Sequence, residues 1–181
     1  LPQRVAPRAS FSFQNTDPNY YLSFFLKHYF LKSRIKPFLL NMNTVIERVR
    51  GKGHRNIRAT HPTTLAITRD VEVGRTGDCF LIVSADKSPR TLSEDFKNAA
   101  RKPVRISVKI IVGDLVDEFY CYGDSALTFK DDRTMVFRKS SYVCDKTVGV
   151  RSNKSAIDID RSIVEKLRNG CEAIVELRIN S

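Results

Sequence analysis

The sequence predicts an α+β fold, a strand-rich and internally duplicated mixed barrel or sandwich with pseudo-twofold symmetry and one helix in each repeat. Three observations predict it. Gly53 to Ser88 (GHRNIRATHPTTLAITRDVEVGRTGDCFLIVSADKS) and Gly123 to Ser155 (GDSALTFKDDRTMVFRKSSYVCDKTVGVRSNKS) share one plan and align without a gap from Gly53/Gly123 to Thr64/Thr134. Apolar residues alternate at strand spacing through most of both copies. One segment of each copy switches to helical spacing, followed by a closing strand. Beyond Thr64, an excess of five residues in the first copy equates Cys79 with Cys144. A later excess of two in the second equates Asp86-Lys87-Ser88 with Asn153-Lys154-Ser155.

In the first copy VIERVR and NIRAT read as strands around a Gly51-Lys52-Gly53 turn, the second of them checked at His61-Pro62. Thr63 to Thr68 alternates Leu65 and Ile67 with polar or small residues, as a half-buried strand does. Gly74 to Gly77 is a turn, and the continuous apolar run Cys79 to Val83 is an interior strand. Leu92, Phe96, Ala99 and Ala100 then form one helical stripe. Its start is marked twice, by Ser88-Pro89 and by Thr91 with Glu94. Pro103 ends it, and Val104, Ile106, Val108 and Ile110 alternate in a strand with one wet face. After Gly113-Asp114 the second copy offers LVDEFYCY, SALTF, TMVFR and VCDKTVGV as strands. A helix with Ile159, Ile163, Val164 and Leu167 on one stripe follows, with Ser155 and Asp158 as start signals and Gly170 at its C′ position. The last strand sets Ala173, Val175, Leu177 and Ile179 on one face.

Residues 42–181 read as one domain of two repeats, about 42–112 and 113–181, and residues 1–41 as a leader that is either non-native or disordered. The leader holds nine of the seventeen aromatics and four of the seven prolines. Its apolar stretch from Tyr20 to Leu40 is interrupted by Lys27, His28, Lys32, Arg34 and Lys36. That excludes a membrane span and leaves an interfacial helix as the membrane-related option. The net charge of +11 is uneven: residues 1–41 carry +5, residues 42–112 carry +7 and residues 113–181 carry −1. A one-sided positive field favours a polyanionic partner.

The succession GH, ATHPTT, GDC and ADK, with the later stretch RKSSYVCDKTVGVRSNKSAIDID, resembles the archaeal family known as domain of unknown function 371. The resemblance runs from about Asn43 to Ile179. It implies an archaeal cytoplasmic protein and brings no reaction with it.

The chemistry must therefore come from the residues. Arg48, Arg50, Lys52, His54, Arg55 and Arg58 make the densest basic stretch, a candidate stripe for RNA, single-stranded DNA or another phosphorylated ligand. Lys87 and Lys154 each stand beside a capping serine at a strand-to-helix junction, where a lysine has no capping task. Both are therefore expected to flank phosphate-sized anion sites. The alternative is a small-molecule enzyme with a cleft around His54, His61, Asp78 and Lys87, in which Cys79 is a candidate nucleophile and His61 its base. The bland readings are a solvated basic hairpin, a histidine that satisfies backbone groups, and inert thiols. The four cysteines show no CxxC spacing, so no metal is indicated by spacing alone, and the cofactor is left open.

Overall fold

A computed structural model describes residues 44–180 of the protein. The leader, with the interfacial helix expected there, lies outside the described residues.

Eight strands, two helices and two 3₁₀ turns follow in order: β1 (Thr44–Lys52), β2 (Thr64–Thr68), β3 (Phe80–Ile82), a 3₁₀ turn (Pro89–Thr91), α1 (Glu94–Ala100), β4 (Arg105–Val112), β5 (Leu115–Tyr122), β6 (Thr134–Arg138), β7 (Thr147–Gly149), a second 3₁₀ turn (Ala156–Asp158), α2 (Arg161–Arg168) and β8 (Glu172–Asn180). They form two four-stranded sheets. One is antiparallel throughout, ordered β1-β8-β4-β5; the other is ordered β3-β2-β6-β7, with β2 and β6 antiparallel and the two outer pairs parallel. The edges of the sheets meet only at single bridges, Lys52 with Val83 and Tyr122 with Val150, so the structure is sandwich-like rather than a closed barrel.

Each half contributes the same series of elements to both sheets, so that β1 corresponds to β5, β2 to β6, β3 to β7 and β4 to β8. Hydrogen bonds fix the correspondence residue by residue. Ala66 N–H donates to the Cys79 carbonyl where Val136 N–H donates to that of Lys146, and Ser84 N–H donates to Asp70 where Arg151 N–H donates to Ser140. Cys79 therefore matches Lys146 and not Cys144. The compensating gaps of the sequence alignment collapse into one three-residue excess in the first copy, between Asp70 and Asp78. The Lys87/Lys154 equivalence stands.

The core lies between the sheets and under the helices. Val49, Ile106, Val108, Ile110, Phe119, Val175 and Leu177 face inward from the first sheet, and Phe119 meets Phe137 of the second edge to face at 5.5 Å. β2 is buried on both faces rather than half-buried, because Leu65, Ala66, Ile67 and Thr68 lie between β3 and β6 and between two layers. Gly51 and Lys52 continue β1 instead of turning, since Val83 closes a bridge on Lys52. NIRAT and SALTF are not strands. His54 and Asp124 accept backbone bonds from Ile57 and Leu127, and Ala59 and Phe129 take the left-handed region at φ 48° and 54°, which ends any extended run.

Candidate anion-binding site

Arg48, Arg50 and Lys52 do share the exposed face of β1, as the alternation required. The antiparallel register, however, sets Glu176 opposite Arg48 and Glu172 opposite Lys52 on β8. Arg48 Nε lies 2.9 Å from a Glu176 carboxylate oxygen, and Arg178 takes the other at 3.0 Å, which holds that carboxyl below its ordinary range. Arg50 borders a groove that also contains Asp86 and Glu172. This face is an alternating ionic surface, not an uninterrupted positive stripe.

Lys87 and Lys154 have partners as well. One oxygen of Glu47 on β1 pairs with Lys87, while the other accepts 2.8 Å from the backbone N–H of Ser93, the N-cap of α1. In the second half Asp117 on β5 pairs with Lys154 and accepts 2.9 Å from the backbone N–H of Asp160, the N-cap of α2. Each lysine thus neutralises a carboxylate that ties a strand to a helix start. Burial works against charge on Glu47, whose side chain is 3% exposed, yet the hydrogen bonds from Lys87 and Ser93 outweigh it and hold the carboxyl below its ordinary value. The premise that lysine had no task at these junctions is replaced by this staple.

The two histidines do local structural work. His61 Nδ1 accepts from the backbone N–H groups of Thr63 and Thr64 at 3.2 and 3.1 Å, and its counterpart Asp131 does the same with Oδ1 toward Arg133 and Thr134. His54 Nδ1 accepts from Asn56, as Asp124 Oδ1 accepts from Ala126. Asp78 meets His61 through its backbone carbonyl, which accepts from the N–H groups of Thr60 and His61. Burial, with Asp78 adding to it, pushes the Cys79 thiol up, against a role as thiolate nucleophile. All four cysteines are free. Cys144 is the contrast: burial raises its thiol, but hydrogen bonds from Thr147, the backbone at Lys146 and Arg138 more than offset that and lower it. Among the described residues no group of three or more His, Cys, Asp or Glu is placed to hold a metal ion. None of them forms a helix long and apolar enough to cross a membrane.

A positive concavity lies one loop further on. Arg55, Asn56, Ile57, Arg58, Arg75 and Arg168 line one open groove, with no carboxylate in its wall. Among the described residues none of these four arginines forms an ion pair. Arg55 and Arg58 come from the loop after β1, Arg75 from the loop that is longer in the first copy, and Arg168 from the last turn of α2, where the helix dipole favours a cation. Arg161, at the other end of α2, donates to the carbonyls of Ala59 at 2.9 Å and Arg58 at 3.0 Å, and so holds the left-handed corner of the loop against the helix. Of the basic stretch expected to bind, Arg55 and Arg58 lie here, whereas Arg75 and Arg168 are 20 and 113 positions from Arg55 and gave no local signal.

In the second half two of the equivalent positions are neutral and a third, still an arginine, is tied up. Ser125 and Thr128 replace Arg55 and Arg58, and Arg101, the counterpart of Arg168, is engaged, donating from Nε to Leu127 at 3.2 Å and standing over the Phe129 ring at 5.5 Å. The fold therefore forms this loop without a basic groove.

In comparison with known proteins, the chain is 41% identical over 129 residues to an uncharacterized protein of the archaeon Methanocaldococcus jannaschii, which covers 71% of this chain and 96% of the relative. The family described as domain of unknown function (DUF371) matches residues 49–180. The chain is a member of that family.

Proposed function

We propose that the protein binds a phosphate-bearing polyanion such as RNA, and that the groove formed by Arg55, Arg58, Arg75 and Arg168 is the contact. The observation that carries this reading is the collection of four guanidinium groups in one open groove without a carboxylate, two of them at positions that hold Ser125 and Thr128 in the other half. Like charges gathered without a counter-charge repel one another. A multivalent anion turns that repulsion into attraction, and guanidinium forks match phosphate oxygens in pairs. The uneven charge of the chain adds long-range steering to the same half.

The experiment is retention of the full chain on heparin and on a labelled RNA. Arg55→Gln, Arg58→Gln and Arg168→Gln together are expected to abolish retention at moderate salt. Arg48→Gln, Arg50→Gln and Lys52→Gln, which remove the same formal charge from the face interleaved with Glu176 and Glu172, are expected to weaken it much less. Equal losses from the two triple variants would mean that net charge alone is sensed.

A further inference from the structure

We propose a second contact surface on β5, a nucleobase-stacking ladder that takes single-stranded nucleic acid. It rests on the polyanion reading above and narrows it to a polymer with flat bases.

The ladder is a row of four planar groups, two tyrosines between two arginines. The Arg105 guanidinium lies 4.1 Å from the Tyr120 ring centroid, Tyr120 meets Tyr122 edge to face at 5.9 Å, and Arg151 stands 5.7 Å from the Tyr122 centroid. Tyr120 and Tyr122 are partly exposed on an edge strand of their sheet, and Tyr120, Arg105 and Asn153 border one open groove whose two carboxylates, Glu118 and Glu176, are paired with Lys109 and Arg178. The platform is held stiffly. Tyr120 N–H donates to Asn153 Oδ1 and its carbonyl accepts from Asn153 N–H, while Tyr122 and Val150 exchange both backbone bonds. Arg151 leaves from a left-handed backbone at φ 50°.

The other half again serves as an internal control. The residues equivalent to Tyr120, Tyr122, Arg105 and Arg151 are Arg50, Lys52, Glu172 and Ser84. The fold thus closes this edge without an aromatic ring. In both halves the backbone at these positions is already paired, by Asp86 and Val83 in the first and by Asn153 and Val150 in the second, so no side chain is needed there to guard an edge. Two half-exposed tyrosines braced by two arginines are more than an edge guard requires, and they supply what single-strand binding uses: π faces for the bases and guanidinium groups for both stacking and phosphate contact.

The test uses the full chain with an unstructured oligoadenylate and, separately, heparin. The chain has six tyrosines and no tryptophan, so its intrinsic emission comes from tyrosine. Oligoadenylate is expected to quench this emission on binding. Tyr120→Leu with Tyr122→Leu is expected to weaken oligoadenylate binding on the order of 10-fold or more, and to abolish most of the quenching, while leaving heparin retention unchanged. Tyr120→Phe with Tyr122→Phe keeps the rings and is expected to bind as the parent does, which separates lost stacking from lost folding. If the leucine pair binds oligoadenylate as tightly as the parent, or loses heparin and oligoadenylate in proportion, the ladder is not a base-binding surface. Failure of the parent to bind either polyanion would instead overturn the polyanion reading itself.

Discussion

At the residue scale, His61 shows how one geometry can be met by two chemistries. An imidazole Nδ1 in one half and an aspartate oxygen in the other accept the same pair of backbone N–H groups, so the His-Pro corner needs an acceptor and not a base. His61→Asp is therefore expected to leave stability near that of the parent. His61→Ala should cost about 1 kcal/mol, as loss of a capping acceptor does, measured by urea unfolding at neutral pH. Glu47 is the more demanding position. Glu47→Ala leaves the Ser93 N–H and the Lys87 ammonium without their partner and should cost roughly 2–3 kcal/mol, discounted because Lys87 can turn toward water. The folded-state carboxyl is depressed below its ordinary value, so its contribution is present above the unfolded carboxylate range and is lost as pH falls through the folded value. Stability measured from pH 7 down to pH 3 should thus fall more steeply in the parent than in Glu47→Gln. Of the two repeats, only the first carries histidines in the sequence. Which atom they offer, and to whom, depends on a loop bend that side-chain type does not encode.

At the element scale, both helices begin in two steps. Buried Ser88 and Ser155 cap 3₁₀ turns, and Ser93 and Asp160 then cap the helices proper, accepting from Phe96 and Ser162. Of the two expected start signals, Ser88-Pro89 opens the 3₁₀ turn, whereas Thr91 belongs to that same turn as the capping partner of Ser88 and leaves the cap of the helix to Ser93. At its far end α2 closes as a Schellman motif, with Gly170 N–H on Leu167, Cys171 N–H on Lys166, and Gly170 at φ 82°. Period-2 patterns located β5 and β6 well, because both bury one or both faces. NIRAT and SALTF failed because their alternation is imposed on a loop whose buried Ile57 and Leu127 plug the core without a ladder partner. The glycines that open the two repeats mark the closest backbone approach in each half. A Cβ on Gly53 would lie 1.7 Å from the Leu167 carbonyl oxygen, and one on Gly123 would lie 2.2 Å from that of Ala100, both rigid helix backbone. Gly53→Ala and Gly123→Ala are each expected to cost at least ~3 kcal/mol and to lower the thermal midpoint by many degrees. A midpoint unchanged by Gly123→Ala would show that α1 does not press on this turn as described.

At the scale of the whole molecule, two halves share a backbone plan and differ in what they present to solvent. The sheet order, the staples and the helix caps are matched between the two halves, and each has a structural reason. Arg55, Arg58 and the tyrosine ladder have no like residue in the other half. The overall charge asymmetry was legible in the sequence, but its focus was not. Pairing with Glu176 removes Arg48 from the reckoning, while Arg75 and Arg168 join Arg55 only through a longer loop and a helix end. The central claim is that this groove takes up phosphates. Its most direct test is the salt dependence of RNA affinity, measured for the full chain and for the Arg55→Gln, Arg58→Gln, Arg168→Gln variant. The slope of log affinity against log salt should shrink by about two for the three contacts removed. An unchanged slope would contradict the claim.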